Sequence, residues 1–331
     1  MRQIFICVVL ALWAGLGMAQ KPRVVIPTGS TGGVFFFYGQ AVAKLLSESG
    51  VADATAQQTG GSYDNLLLLR DRTDPGANTY YCALTTTDAA LVTYNGSEPR
   101  FKDRKADNQR ILFYMYPSLI HIVTTEQSGI KVLQDLKGKR VSTGQPGSST
   151  ENLALLVLQG AGVEPSSFAK RERLPAAESA QALGEGTIDA YFWVGGVPTS
   201  SVVDVGQTLA RSGKRLRLVP VTANSTTAQL LLKRFPGILS TGTVPKSVYN
   251  TLNDTPALFT GNVFVCPKEM PDELAYGITK AVFNGLQTLQ TATAAARDTT
   301  LEASAKLYNA KTLIPFHPGA LRYLKEVGAI K

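Results

Sequence analysis

The first apolar pattern along the chain predicts a strand followed by an amphipathic helix. Residues 24–26 form a short apolar run typical of a buried strand, and the small-residue segment 29–33 follows it. Apolar residues then recur at spacings of three, four and seven up to about Glu48, which is typical of one face of a helix. The residues of this face are Phe35, Tyr38, Val42, Leu45 and Leu46. The predicted order is therefore strand, small-residue loop and helix.

This order of strand, small polar loop and helix occurs three times in the first part of the chain. The second loop lies at 59–62, ahead of a helix at 64–70, and the third lies at 85–88, ahead of a helix that ends near Tyr94. Repeated units of this kind predict a parallel sheet. Because loops at the carboxyl ends of parallel strands line one crevice, we expect the three loops to form one ligand site.

Two extended segments lead from this first unit into a second α/β unit. Strands are predicted at 111–116 and 119–124, with Pro117 between them, and a strand at 262–266 is expected to return to the first unit. We therefore predict an α/β fold with two lobes, each a mostly parallel sheet flanked by helices, and a cleft between them. The expected boundaries are 20–118 with 262–331 for the first lobe and 119–261 for the second.

Two loops have the features of an anion site. The first N–H groups of a helix lack partners and the helix dipole makes that end positive, so segment 29–33 is suited to a phosphate or a carboxylate. A simple tight turn is the alternative for this segment. In the second unit, Ser148 and Glu151 have the spacing of a capping box ahead of an apolar helix. Either Ser148 only caps this helix, or residues 148–150 present hydroxyls and N–H groups to an anion.

Other residues also keep two interpretations each. Asp88 either orients an amino group of a ligand or caps the helix that follows it. Trp193 ends a strand just before a glycine pair and belongs either to the core or to the floor of a cleft. Cys82 and Cys266 are the cysteines outside the first 19 residues, and they form either a disulfide or two buried thiols.

The beginning of the chain has the pattern of a secretory signal peptide. Arg2 is followed by an apolar run at 4–16 and by small residues, which predicts cleavage near Ala19 and a mature start at Gln20. No other stretch is long and apolar enough to predict a membrane span. The chain has 331 residues, 44% of them hydrophobic, which is enough for two domains. We therefore expect a soluble periplasmic protein.

Charge and motifs argue against nucleic-acid binding and against catalysis. The chain has 33 Lys and Arg residues and 25 Asp and Glu residues, so the net charge is +7 once Arg2 is removed with the predicted signal peptide. The basic residues are spread along the chain, which is not typical of a nucleic-acid-binding surface. His121 and His317 are the only histidines, and we interpret both as structural. A G-x-S-x-G elbow and metal-ligand spacings are missing. We expect no cofactor, no metal and no catalytic residue; a secreted hydrolase or transferase is the weaker alternative.

Taken together, the motifs resemble the TAXI-type solute receptors of tripartite ATP-independent periplasmic (TRAP) transporters. The matching motifs follow the family order over nearly all of the chain after the predicted signal peptide. They are G-S-T-G-G-V at 29–34, T-G-G-S at 59–62, L-K-G-K-R-V-S-T-G-Q-P-G-S-S-T at 136–150, G-T-I-D-A-Y-F-W-V-G-G-V-P at 186–198 and P-F-H-P-G-A-L-R-Y-L-K-E at 315–326. The chain departs from the family pattern at Phe35, where the family usually has Tyr, and at Ser149, where it usually has Gly.

The resemblance implies a two-lobed, type II-like periplasmic binding protein that closes on a small organic anion. It implies a glutamate-like amino acid or a related carboxylate as ligand, a TRAP membrane permease with fused small and large subunits as partner, and a monomer. A binding protein that feeds a signalling receptor is the alternative. The implied pocket residues, to which we add Trp193, are Ser30, Thr31, Gly32, Gly33, Thr59, Gly60, Ser62, Asp88, Gly147, Ser148, Thr150, Gly195, Gly196 and Pro198.

Overall fold

Strands and helices alternate through most of the chain in a computed structural model, which describes residues 20–311 and 314–331. The strands are β1 (Arg23–Pro27), β2 (Asp53–Gln57), β3 (Thr79–Tyr81), β4 (Ala83–Thr86), β5 (Gln109–Thr125), β6 (Arg140–Ser142), β7 (Lys170–Glu172), β8 (Ala190–Gly196), β9 (Leu216–Leu218), β10 (Leu239–Val244) and β11 (Thr255–Pro267). The α-helices are α1 (Val34–Glu48), α2 (Ser62–Arg72), α3 (Thr87–Asn95), α4 (Ser149–Gly160), α5 (Ala176–Glu185), α6 (Ser200–Arg211), α7 (Thr226–Arg234), α8 (Asp272–Asn284), α9 (Leu286–Ala292), α10 (Leu301–Asn309) and α11 (Pro318–Glu326). The predicted signal peptide at 1–19 lies outside the described residues.

The first strands and helices have the order that the apolar pattern predicts. β1 is the middle strand of a three-stranded sheet, and β2 and β3 both pair with it in parallel. α1 buries Tyr38, Val42 and Leu46 on one face, which agrees with the predicted helical spacing. The strand, loop and helix order is thus confirmed for α1, α2 and α3.

A second, eight-stranded sheet extends through both lobes and is largely antiparallel. Its order is β10-β11-β5-β8-β6-β7, with β4 also paired to β11 and β9 also paired to β5. Only the pairs β6–β7 and β6–β8 are parallel within the described part of this sheet. The prediction of a mostly parallel sheet in each lobe is therefore wrong for this sheet. The reason is that β5 and β11 cross between the lobes in opposite directions, and every strand that pairs with either of them is antiparallel to it.

One continuous strand replaces the two short segments predicted on either side of Pro117. β5 passes through Pro117, which is in register with Gly261 of β11. The pairing shifts in register between Gly261 and Val263, and proline is tolerated in a sheet at such irregularities because no ladder hydrogen bond is lost. The crossing between lobes is therefore extended but locally irregular.

The apolar core is divided along this crossing. One cluster of buried residues is formed from residues 24–116 and 263–330, and two smaller clusters are formed from residues between 119 and 258. We call the parts of the chain that form these cores the first lobe and the second lobe. The predicted boundaries at 118/119 and 261/262 fall in the gaps between the clusters, and their positions stay a prediction. Within 20–311 and 314–331, no helix is both long and apolar enough to cross a membrane.

A disulfide joins Cys82 to Cys266 inside the first lobe. The two Cα atoms are 4.3 Å apart, and both side chains are completely buried. Cys82 lies between β3 and β4, and Cys266 lies in β11, so the bond ties the returning strand to the link between β3 and β4. Of the two states that the sequence left open, the structure contains the bonded one.

Candidate ligand-binding site

A cavity of about 40 Å³ lies between the two lobes. Its walls are formed by the segments that follow β1, β2 and β6, together with the ends of β4 and β8. The three loops expected to share a crevice contribute Gly33, Gly61 and Thr86 to the wall. A cavity needs at least about 10–15 Å³ to hold one water molecule, so this one is large enough for solvent or a small ligand.

The N-termini of α1, α2, α3, α4 and α5 all meet at this cavity. Their N-cap residues Gly33, Gly61, Thr86, Ser148 and Pro175 line the wall. For α1, α2 and α3, no side chain of the described residues bonds to the first N–H groups as a cap. The wall therefore receives the positive ends of five helix dipoles, and such ends attract anions.

Two residues of the wall have a buried hydroxyl without a hydrogen-bond partner among the described residues. Ser30 is 5% exposed and Tyr116 is 0% exposed, and both residues line the cavity. Neither Ser30 Oγ nor Tyr116 Oη has a hydrogen-bond partner among the described residues. Buried polar atoms are bonded in the great majority of cases, so each exception needs an explanation. A ligand in the cavity is the simplest acceptor for these two hydroxyl protons.

The wall of the cavity is otherwise neutral and partly apolar. None of the described residues that line it is Asp, Glu, Lys, Arg or His. Apolar side chains, among them Phe35, Leu174 and Trp193, supply part of the surface. The electrostatic field in the cavity thus comes from helix ends and hydroxyl dipoles rather than from formal charges.

A carbonyl of the second lobe caps α2 of the first lobe. Gly147 O accepts hydrogen bonds from Tyr63 N at 3.1 Å and from Asp64 N at 3.3 Å. These N–H groups belong to the first turn of α2, where partners within the helix are missing. Because the donors and the acceptor lie on different lobes, this cap exists only while the lobes are in contact.

Further hydrogen bonds connect the lobes around the cavity. Gln145 Nε2 donates to Gly60 O at 2.6 Å, and Ser200 Oγ donates to Gly32 O at 3.2 Å. A chain of hydroxyls also crosses the cleft, since Thr86 Oγ1 donates to Ser149 Oγ at 3.0 Å and Ser149 Oγ donates to Ser62 Oγ at 2.8 Å. The structure therefore represents a closed arrangement of the two lobes.

The predicted pocket residues divide into those in the cavity wall and those outside it. The wall contains Ser30, Gly33, Gly60, Ser62, Ser148, Thr150, Trp193 and Gly195. The residues outside the wall are Thr31, Gly32, Thr59, Asp88, Gly147, Gly196 and Pro198. Thr31 is exposed, whereas Thr59 Oγ1 donates to Asn65 Oδ1 at 2.5 Å. A ligand-binding role stays a prediction for all of these residues.

Ser148 and Thr150 have structural bonds as well as a place in the wall. Ser148 Oγ caps α4 by accepting from Glu151 N at 3.2 Å, and it donates to Gln145 O at 2.6 Å. The Glu151 carboxylate binds arginine side chains instead of the Ser148 N–H, so half of the predicted capping box forms. Thr150 Oγ1 accepts from Val194 N at 3.1 Å and so holds β8 against α4. The backbone N–H groups of this loop, rather than its hydroxyls, remain the better donors for an anion.

Asp88 lies beside the crossing strand rather than in the cavity. It is in the first turn of α3, it is buried, and its Oδ1 accepts from Thr260 Oγ1 of β11 at 2.8 Å. Burial raises the pKa of this carboxyl from its usual 3.8 to about 6, although hydrogen bonds from Thr260 and Thr86 oppose the increase. The carboxylate also sits near the positive end of α3, which favours its charged form.

We expect the Asp88→Asn variant to change how stability depends on pH. A carboxyl whose pKa is higher in the folded state favours folding at low pH, and this contribution is lost as the pH rises through about 6. Relative to the wild type, the variant should gain up to about 1.4 kcal/mol in unfolding free energy per pH unit between about pH 4 and 6. Urea unfolding from pH 4 to 7.5 measures this difference. Parallel curves for the two proteins over that range would contradict the expectation.

Both histidines have structural partners, as the sequence suggests. His121 is 1% exposed, and its Nδ1 faces only the carbonyl oxygens of Leu119 and Trp193, each at 3.1 Å, among the described residues. Nδ1 therefore carries the proton, and Nε2 accepts from Tyr249 Oη at 2.9 Å. Burial lowers the pKa of His121 to about 4, so the ring stays neutral near neutral pH. His317 is the N-cap of α11, where its Nδ1 accepts from Gly319 N at 3.3 Å.

Several residues of the wall are missing from the sequence prediction. Tyr116 and Ser118 come from β5, where they flank Pro117 at the crossing between lobes. Strand periodicity marks them only as half-buried positions, and their proximity to the loop after β1 depends on the tertiary fold. The sequence feature that could have indicated Tyr116 and Ser118 is their position beside Pro117, between the two strands predicted to lead from one lobe to the other. Thr86, Gln145 and Ser149 lie within loops that the sequence singles out, although they are absent from the predicted set.

The fold and the family of the chain follow from comparison with known proteins. MatC from Rhodopseudomonas palustris with bound malate has a TM-score of 0.55 and 13% identity, over 94% of this chain and 99% of that chain. A structure described as a periplasmic transporter has a TM-score of 0.51 and 14% identity, over 94% of this chain and 93% of that chain. At such identities the likeness establishes the fold alone, and the predicted two-domain α/β fold of periplasmic binding proteins is confirmed. Residues 26–328 match the NMT1-like family. Because the match covers most of this chain, the chain belongs to that family.

Proposed function

We propose that this protein is a periplasmic solute-binding receptor that captures a small organic anion between its lobes and delivers it to a membrane permease. The observation that carries the proposal is the interlobe cavity, where the N-termini of α1–α5 meet the unpartnered hydroxyls of Ser30 and Tyr116. Each hydrogen bond from these donors to a charged oxygen would contribute about 1.5–3 kcal/mol. The malate held by MatC, which has a similar fold, is an anion of this class.

Binding and closure are coupled because the donors come from both lobes. α1, α2 and α3 belong to the first lobe and α4 and α5 to the second, so an anion can contact helix ends of both lobes only when the cleft is closed. The ligand then shifts the equilibrium between open and closed forms toward the closed one. The interlobe bonds of Gly147 and Gln145 add to the stability of that form. A permease that binds the closed surface would accept only loaded receptors.

The finer assignment rests on the motifs of the sequence. They support a TAXI-type receptor that works as a monomer with a TRAP permease of fused subunits, after export to the periplasm and cleavage near Ala19. A glutamate-like amino acid or a related carboxylate is the ligand that this resemblance favours. Ligand-dependent binding to permease-containing vesicles supports this partner, whereas ligand-dependent binding to a sensor domain alone would favour a signalling role.

The proposal can be tested with the intrinsic fluorescence of one residue. Without residues 1–19, Trp193 is the only tryptophan in the chain, and it lies in the cavity wall. We expect at least one small carboxylate, from a panel that includes glutamate, malate and monocarboxylates, to change its emission with micromolar or tighter affinity. Native mass spectrometry of the exported protein should also show a small bound mass that unfolding releases. The Trp193→Phe variant is the control for the optical signal. The proposal would be contradicted if no bound mass were found and no small organic anion changed the emission.

A further inference from the structure

We propose that the ligand is a compact monoanion, a single carboxylate or similar oxyanion on a short apolar body, without an ammonium group. This inference rests on the proposed function and narrows it. It follows from the neutral wall, the small volume of the cavity and the two unpartnered hydroxyls. It separates such ligands from zwitterionic amino acids and from dicarboxylates.

The absence of acidic side chains argues against an ammonium group. A buried ammonium requires a carboxylate or several acceptors, because an unpaired charge in a closed cavity is costly. No Asp or Glu lines the cavity within the described ranges. Asp64 and Asp88 lie close by in the first lobe, but Asp88 is bonded to Thr260 and both are outside the wall. The N-termini of α1–α5 would in addition repel a cation.

The lining and the volume of the cavity argue against a second carboxylate. A dianion would need a second cluster of charged donors, and the side chains beside the helix ends include the apolar Phe35, Leu174 and Trp193. None of the described residues in the wall is Arg or Lys, so no side-chain cation could hold a second carboxylate. The cavity volume of about 40 Å³ is only a few times the minimum of about 10–15 Å³ for one water molecule, which favours a compact ligand.

The hydroxyls of Ser30 and Tyr116 are assigned as donors to this anion. Ser30 lies in the loop that leads into the N-terminus of α1. Tyr116 lies in β5 at the crossing between lobes. Both are more than nine-tenths buried, line the cavity and have no acceptor among residues 20–311 and 314–331. A carboxylate oxygen would satisfy both protons together with the helix N–H groups.

A panel of four-carbon probes tests the charge of the ligand. Butyrate is a monoanion, succinate is a dianion, 4-aminobutyrate is a zwitterion and butyramide is neutral. We expect butyrate to bind the exported protein at least about 10-fold more tightly than each of the other three, measured by calorimetry and by Trp193 emission. Equal or tighter binding of succinate or 4-aminobutyrate would overturn this inference and leave the proposed function intact. If no anion binds and no bound mass is found, the proposed function itself fails.

Variants with matched controls test the two donors. Ser30→Ala and Tyr116→Phe should each weaken butyrate binding about 10-fold, the effect of removing one hydrogen bond to a charged group. Tyr191 and Ser201 are also buried with unpartnered hydroxyls among the described residues, but they lie outside the cavity wall. The controls Tyr191→Phe and Ser201→Ala should leave butyrate binding within about 2-fold. Equal losses in donor and control variants would overturn the assignment of Ser30 and Tyr116.

Discussion

Gly147→Ala is expected to hold the lobes apart and to weaken ligand binding at least about 100-fold. A Cβ atom at position 147 would overlap the carboxyl group of Asp64 in the opposite lobe. The same glycine supplies the carbonyl that caps α2, so the substitution disturbs the cap as well. Overpacking costs about 1–3 kcal/mol, and each lost hydrogen bond costs about 1 kcal/mol, which together correspond to this loss of affinity.

The Asp64 side chain is 38% exposed and lies 3.6 Å from Arg100, so its carboxyl group would have to turn toward solvent to make room for the added methyl group. A Cβ at Gly60 would overlap the same carboxyl group, so this side chain is held between two glycines. Burial raises the pKa of this carboxyl, while Arg100 and the Gly60 backbone oppose the increase. Asp64→Ala in the Gly147→Ala background should therefore restore closure in part. Such recovery in the double variant would identify the contact between these two residues as the cause.

A glycine outside the interface provides the matched control. Gly147 has φ of 80° and Gly162 has φ of 64°, so alanine is strained by a similar amount at either position. A Cβ at Gly162 would meet no other atom within 4 Å. Gly162→Ala should therefore lose a similar amount of stability and keep its affinity for the tightest-binding anion. Small-angle scattering and the emission maximum of Trp193 report closure directly. Equal affinities of the two variants would show that Gly147 has no role in closure.

The sequence predicts the helix ends at this site because their signals are local. A strand, a small-residue loop and an apolar periodicity of 3.6 define the starts of α1 and α2, from which Gly33 and Ser62 follow, and the capping-box spacing ahead of α4 indicates Ser148. The same local logic includes Thr31 and Thr59, since hydroxyls in such loops look alike in sequence. Only the fold shows that Thr31 points to solvent and that Thr59 is bonded to Asn65.

The features that depend on distant pairing could not be predicted in this way. Tyr116 reaches the cavity because β5 runs through Pro117 into the second lobe, and the pattern around Pro117 indicates two strands instead of one. The antiparallel pairing of β5 with β11 has the same origin, because repeated βα units indicate parallel neighbours but say nothing about strands that cross between lobes. Gly147 is likewise recognisable as a loop glycine, whereas its role as a cap for α2 requires the opposite lobe.

Loss of the disulfide between Cys82 and Cys266 is expected to lower the unfolding free energy by about 3–5 kcal/mol. The two residues are 184 positions apart, and cross-links that close long loops restrict the unfolded chain most strongly. The bond also joins the segment before β4 to β11 within one core, where both sulfur atoms are buried. The double variant Cys82→Ala, Cys266→Ala should therefore unfold at clearly lower urea concentration than the oxidised wild type.

Reduction of the wild type separates the bond from the packing of the sulfur atoms. Reduced wild type keeps both side chains, so it should lose most of the stability that the double variant loses, and reductant should leave the double variant unchanged. Neither cysteine lines the cavity, so ligand affinity at low denaturant should stay within about 2-fold in all of these forms. Two free thiols in the denatured, unreduced protein would contradict the bond itself. Equal urea midpoints with and without reductant would instead mean that the bond contributes little, because strain in the folded state offsets its effect on the unfolded chain.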